Sequence, residues 1–303
     1  MRRLPLVIFS LLFISTLIFG IYSLRNVAKR TDYVEPPDGV LKVIATAYPL
    51  ADFAKNVGGD FIFVTNATPP GVEPHDFEPT PKEVAFMETA DVFIMNGAGL
   101  DTWADDIAKT IADHGGIVVN MEKQIHFLPE DPHAWLDLGM AQDMVRDIRY
   151  AFIEKDPAHK NEYLVMTDAY LSKLNDLDSM YREGLRNCEL HDIIVAHDAF
   201  GYLGRRYAFT VHPILGISPD VEPSAKDLSD LVETAKSLGV TTVFFETLLS
   251  PKLAQTIAHD INGKTDVLNP VEGLTDAQMR AKEDYVSLMT ENVNALKRAL
   301  VCQ

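Results

Sequence analysis

Asp192-Ile-Ile-Val-Ala-His197-Asp-Ala-Phe-Gly-Tyr202 is an apolar run that stops at a single histidine. Four consecutive apolar residues, 193–196, are the pattern of a strand buried on both faces, as strands of parallel sheets are. His197 then stands at the carboxyl end of that strand, the edge at which open α/β sheets bind ligands. Gly201 and the aromatic residues around it begin the next element.

Working outward, apolar runs at 209–211, 242–245 and 266–268 alternate with amphipathic segments at 224–237, 251–260 and 276–300, for which Ser224 and Asp276 are the expected N-caps. The N-terminal half repeats the pattern, with strands expected at 41–45, 61–64, 92–95 and 117–119 and helices at 50–57, 81–89 and 102–112. Such alternation gives parallel sheets with helical cover. Between the halves, a helix over 140–154 ends at Asp156-Pro157. From Ala158 onward Tyr163, Met166, Tyr170, Leu174, Leu177, Tyr181 and Leu185 recur at three and four. That spacing predicts one helix about 40 Å long at 1.5 Å per residue, a stiff rod between two α/β lobes. The expected organisation is an export signal or membrane anchor over 1–30, a tether over 31–40, lobes over 41–157 and 188–303, and the linking helix over 158–187. A ligand is expected between the lobes.

A chain of 303 residues with 47% apolar content is long enough for about two domains with full cores. Its formal charge of -17 argues against a nucleic-acid partner, which needs a basic footprint. Residues 4–24 carry no charge and are about long enough to cross a bilayer. They lack a clean small-x-small cleavage site, which favours an uncleaved anchor over a signal peptide. The cysteine that would accept a lipid is missing after them. Export places the chain outside the cytoplasm, in the periplasm or on the outer face of the cytoplasmic membrane. In an exported chain Cys188 and Cys302 close one disulfide or remain two separate thiols.

Imidazole is the commonest protein ligand for borderline metals, so the nine histidines are worth sorting. His75 lies in Gly71-Val-Glu-Pro-His-Asp-Phe-Glu-Pro-Thr-Pro81 after the second expected strand, and His133 in Asp131-Pro-His-Ala-Trp-Leu-Asp137 before a helix. With His197 they share the functional edge of a sheet. Taken singly, each is more often a surface or structural residue. His191 and His212, which flank C-terminal strands, are their nearest rivals; His114, His126, His159 and His259 read as structural or exposed. A fourth ligand is expected from the second lobe, where Glu272 sits in Leu268-Asn-Pro-Val-Glu-Gly-Leu274. Glu246, at another strand end, is expected to orient a histidine ring, and Asp198 is a second candidate for that role.

These histidine loops, in this order, together with Gly216-Ile-Ser-Pro-Asp-Val-Glu-Pro-Ser224, resemble the zinc/manganese solute-binding proteins of metal-uptake ABC transporters. The resemblance runs from Leu41 to the C-terminus. It implies two (βα)4 lobes joined by a rigid helix, with a metal held in the cleft by two residues from each lobe. Carried over residue by residue, the ligands are His75, His133 and His197, with Glu272 fourth, because Asn269 stands where many zinc-binding members have aspartate. Manganese members usually present glutamate at the position of His197. Three imidazoles and one carboxylate suit zinc (Zn2+), carried as cargo rather than as a catalytic cofactor. The His- and Asp-rich loop of many zinc relatives is missing before Asp131. The implied partner is a membrane permease, and the chain is expected to be a monomer and not an enzyme. A manganese or iron carrier of the same family is the alternative, followed by a zinc hydrolase or an adhesin.

Overall fold

The computed structural model describes residues 35–37, 39–217 and 223–303. The apolar segment 4–24, half of the tether and residues 218–222 of the Gly216–Ser224 stretch lie outside them.

The first sheet is parallel, ordered β2-β1-β3-β4, with β1 Leu41–Ala45, β2 Ile62–Asn66, β3 Val92–Met95 and β4 Ile117–Asn120. Its helices are α1 (Tyr48–Gly58), α2 (Pro81–Met87), α3 (Ala104–Asp113) and the single turn α4 (Met121–Gln124). All four residues of β3 are buried, as a central strand covered on both faces requires. Then come α5 (Leu138–Lys155) and the linking helix α6 (Lys160–Gly184), whose 25 residues span about 37 Å. Tyr163, Tyr170, Leu174, Leu177 and Tyr181 form its buried stripe.

The second sheet has the same parallel order, β6-β5-β7-β8, with β5 Asp192–Val195, β6 Thr210–Pro213, β7 Thr242–Phe245 and β8 Lys264–Val267. Between its strands lie α7 (Gly201–Tyr207), α8 (Ala225–Ser237) and α9 (Lys252–Asp260). In both sheets the chain reverses its direction of travel at the central pair, β1/β3 and β5/β7. Ligands gather outside the carboxyl ends at such a point.

The last segment departs from expectation. The single helix read over 276–300 is two, α10 (Asp276–Ala281) and α11 (Tyr285–Ala299). Lys282 takes a left-handed φ of 60°, and Asp284 starts a new capping box with Ser287. Thr275, not Asp276, caps α10, its side chain accepting from the Gln278 N–H. Ser224 caps α8 as expected. Cys188 and Cys302 are disulfide-bonded.

One apolar core runs through both lobes and the linking helix. Trp135, Tyr181 and Tyr285 are fully buried in it. Tyr285 of α11 meets Phe53 of α1 edge-on at 4.8 Å, so the C-terminal helix also packs on the first lobe.

Candidate metal centre

Each expected ligand stands on a loop leaving the carboxyl edge of a sheet. Past β2, Gly71 turns the chain with φ 76°, and Pro74 opens the one-turn helix Pro74–Asp76 that presents His75. The Gly71 N–H donates to the Leu274 carbonyl at 3.0 Å, tying this loop to the one that bears Glu272. Buried Asn96, directly after β3, donates to the Pro132 carbonyl at 3.0 Å and fixes the approach to His133, whose loop comes after β4. His197 lies two residues beyond β5, Glu246 directly follows β7, and Glu272 follows β8.

The four donors converge. Nε2 of His133 lies 2.8 Å from Oε1 of Glu272, 3.2 Å from Nε2 of His75 and 3.5 Å from Nε2 of His197. Oε1 of Glu272 is 3.4 Å from His75 and 3.6 Å from His197. Among the described residues these four form the group whose ligand atoms all lie within 4.8 Å of one another. A zinc ion with bonds of about 2.0–2.1 Å places tetrahedral ligands roughly 3.3 Å apart, the scale of these separations. The side chains of His133, His197 and Glu272 are wholly buried, whereas His75 keeps 7% exposure.

Two carboxylates set the direction of the rings. Nδ1–H of His133 donates to Asp131 Oδ1 at 2.8 Å, and Nδ1–H of His197 to Glu246 Oε1 at 2.5 Å. A carboxylate only accepts, so each Nδ1 carries a proton and each Nε2 faces the centre, its lone pair free for a cation once its own proton has left. Burial pushes the His197 imidazole down, but Glu246 and Glu272 outweigh it and carry it up to about 11. His133 is likewise depressed by burial, and its bonds to Asp131 and Glu272 more than compensate. Burial raises Glu272, yet the three histidines hold it well below the usual carboxylate range. Glu73, two residues before His75, is pushed up to about 8 by burial and by Glu272. A buried cluster of this kind holds protons where a cation would otherwise stand.

His75, His133, His197 and Glu272 are thus brought together, with Glu246 against His197. Asp198 does not take a ligand ring nitrogen, because those of His133 and His197 go to Asp131 and Glu246; its own N–H donates to the Gly216 carbonyl at 3.2 Å. Asp131 was the partner missed, and its place two residues before His133 was the available signal. Asn269 turns away from the cluster, with Oδ1 accepting the Val271 N–H at 2.7 Å. The rivals stand elsewhere. His191 is exposed before β5, at the sheet's other edge, and His212 pairs with Asp192 at 2.8 Å.

Fold and cluster together define a two-lobed α/β binding protein with its candidate metal centre in the cleft. The chain belongs to the family of the zinc-uptake complex component A, periplasmic (ZnuA), whose model matches residues 43–299. It is 36% identical over 280 residues to the high-affinity zinc uptake system protein ZnuA of Bacillus subtilis, covering 86% of this chain and 88% of that protein. The zinc-binding lipoprotein AdcA of Streptococcus pneumoniae is 34% identical over 86% of this chain, which spans 56% of AdcA. The solved Zn(II)-bound ZnuA-like domain of S. pneumoniae AdcA superposes with a TM-score of 0.78 at 35% identity, covering 86% of this chain and 99% of that one.

Proposed function

We propose that this protein captures zinc outside the cytoplasm and passes it to the membrane permease of an ABC-type uptake system, with His75, His133, His197 and Glu272 holding the ion. The observation that carries this reading is the convergence of three Nε2 atoms and one buried carboxylate oxygen at tetrahedral spacing. Nitrogen-rich tetrahedral sites suit zinc, whereas manganese takes more oxygen. The family is one of solute-binding transport proteins, and a hydrolytic zinc would need an open coordination position that a fourth protein ligand closes. In this reading 41–157 and 188–303 are the lobes, 158–187 is the link, and the apolar run 4–24 exports or anchors the chain.

Metal analysis of protein purified without added metal is expected to give one zinc per chain, with zinc displacing manganese in competition. Glu272→Ala is expected to weaken zinc binding more than Glu246→Ala. Preferential retention of manganese, or loss of binding only in the Glu246 variant, would refute the assignment.

Zinc needs bare Nε2 atoms, and without metal the imidazoles of His133 and His197 hold protons above the usual range, held there by Asp131, Glu246 and Glu272. Binding at neutral pH must therefore expel protons. Affinity should rise with pH between about 5 and 8, about tenfold per pH unit for each proton released. Calorimetry in buffers of different ionisation enthalpy reads this directly, and an enthalpy independent of buffer would contradict it.

A further inference from the structure

Trp135 lies two residues beyond His133 and is fully buried at the junction of the lobes. Its indole N–H crosses to the second lobe and donates to the Pro270 carbonyl at 2.7 Å. Pro270 in turn lies two residues before Glu272. One hydrogen bond therefore joins the loops that bear the closest pair of donors, His133 and Glu272, 2.8 Å apart.

The far end of this bond is held unusually firmly. Val271, between Pro270 and Glu272, has φ 61°, a conformation that β-branched residues rarely adopt. Its N–H is taken by Asn269 Oδ1. Asn269 is itself clasped through its backbone by buried Asn292 of α11, whose Oδ1 accepts the Asn269 N–H at 2.8 Å while Nδ2 donates to its carbonyl at 2.6 Å. At the near end, Tyr285 donates its hydroxyl proton to the Trp135 carbonyl at 2.5 Å. A strained turn persists only where its surroundings over-determine it, and such strain concentrates where a side chain must be aimed. Here the side chain aimed is Glu272.

We propose that Trp135 is a positioning residue that sets the size of the metal cage. Its bond to Pro270 fixes the span between His133 and Glu272, and so favours an ion that takes four short bonds over one that takes six. The inference rests on the zinc-binding reading above and adds to it a determinant of selectivity that touches no metal.

Trp135→Phe keeps an aromatic ring, though a smaller one, and removes the N–H. Zinc affinity is expected to fall 10- to 100-fold, the range typical of partners just outside a metal's ligands, and manganese affinity to fall less, so that the ratio narrows. In the cobalt(II)-loaded variant the visible absorption should weaken, because a loosened tetrahedron admits water. Asn292→Asp is isosteric and sets a carboxylate oxygen against the Asn269 carbonyl; it repeats the test from the other side of the turn with the same expected result. A purely structural role would lower both affinities together and leave the cobalt spectrum of the bound form unchanged. That result, in variants of a protein whose Glu272→Gln form does change ratio and spectrum, would overturn the proposal. If Glu272→Gln itself changes neither, the ligand assignment fails first.

Discussion

Alanine in place of His133 is expected to lower zinc affinity by roughly two to three orders of magnitude. Structural zinc sites are worth about 10–16 kcal/mol over four ligands, so one ligand accounts for about 3–4 kcal/mol, at about 1.4 kcal/mol per tenfold change. His133 is the hub of the cluster, within 3.5 Å of each of the other three donors. Its removal also leaves Asp131, only 7% exposed, without the ring that fills one of its oxygens. His197→Ala should match this loss and also strand Glu246, which is 2% exposed, so that folding stability falls as well. His75→Ala should cost least, because water can reach that edge of the site. Competition against a chromophoric chelator measures all three. A His133 variant within tenfold of the parent would refute the role given to it.

The second large effect concerns the fold. Cys188 precedes β5 and Cys302 follows α11, so their disulfide closes a loop across a sequence separation of 114 that contains the whole second sheet. In the chain-entropy account a loop of that size stabilises by up to about 4.7 kcal/mol. Replacing both cysteines by serine is expected to cost about 3–5 kcal/mol, and to lower the Tm of the metal-free protein by about 10 °C. The backbone bonds that flank the bridge, Leu190 N–H to Leu300 O and Gln303 N–H to Asn187 O, remain to hold the C-terminus. The bridge lies at the opposite end of β5 from His197, so zinc affinity should stay within about threefold. An unchanged Tm, or a lost zinc site, would contradict this account.

What the sequence made legible follows from how local each signal is. His197 stood out because a buried parallel strand is an uninterrupted apolar run, and the residue that ends it falls at the ligand-binding edge. His75 and His133 were readable for the same reason, their loops following β2 and β4. The linking helix was equally open to inspection, since its stripe repeats over about six turns without interruption. The contacts that shape the centre were not legible. Trp135 to Pro270 and Asn292 to Asn269 join residues 135 and 23 positions apart, and no periodicity encodes which indole meets which carbonyl. Glu246 was the exception, expected to orient a ring because it ends an apolar strand run; which ring it meets, that of His197 49 positions away, follows from the pairing of β5 with β7. The split between α10 and α11 was hidden because Lys282 is not a glycine, the residue that usually announces a left-handed turn.

The residual exposure of His75 bears on time rather than on affinity. Three donors are sealed in the core, so the ion's path in and out passes the one imidazole at the rim, on a proline-rich loop secured to the opposite lobe by the Gly71 N–H. If the four proposed ligands hold the ion, His75 would be the first to release it, and the residence time would follow the opening of that edge rather than the summed strength of four bonds. A permease that pulled on residues 69–80 could hasten unloading many-fold and leave the equilibrium grip of the resting carrier as it was.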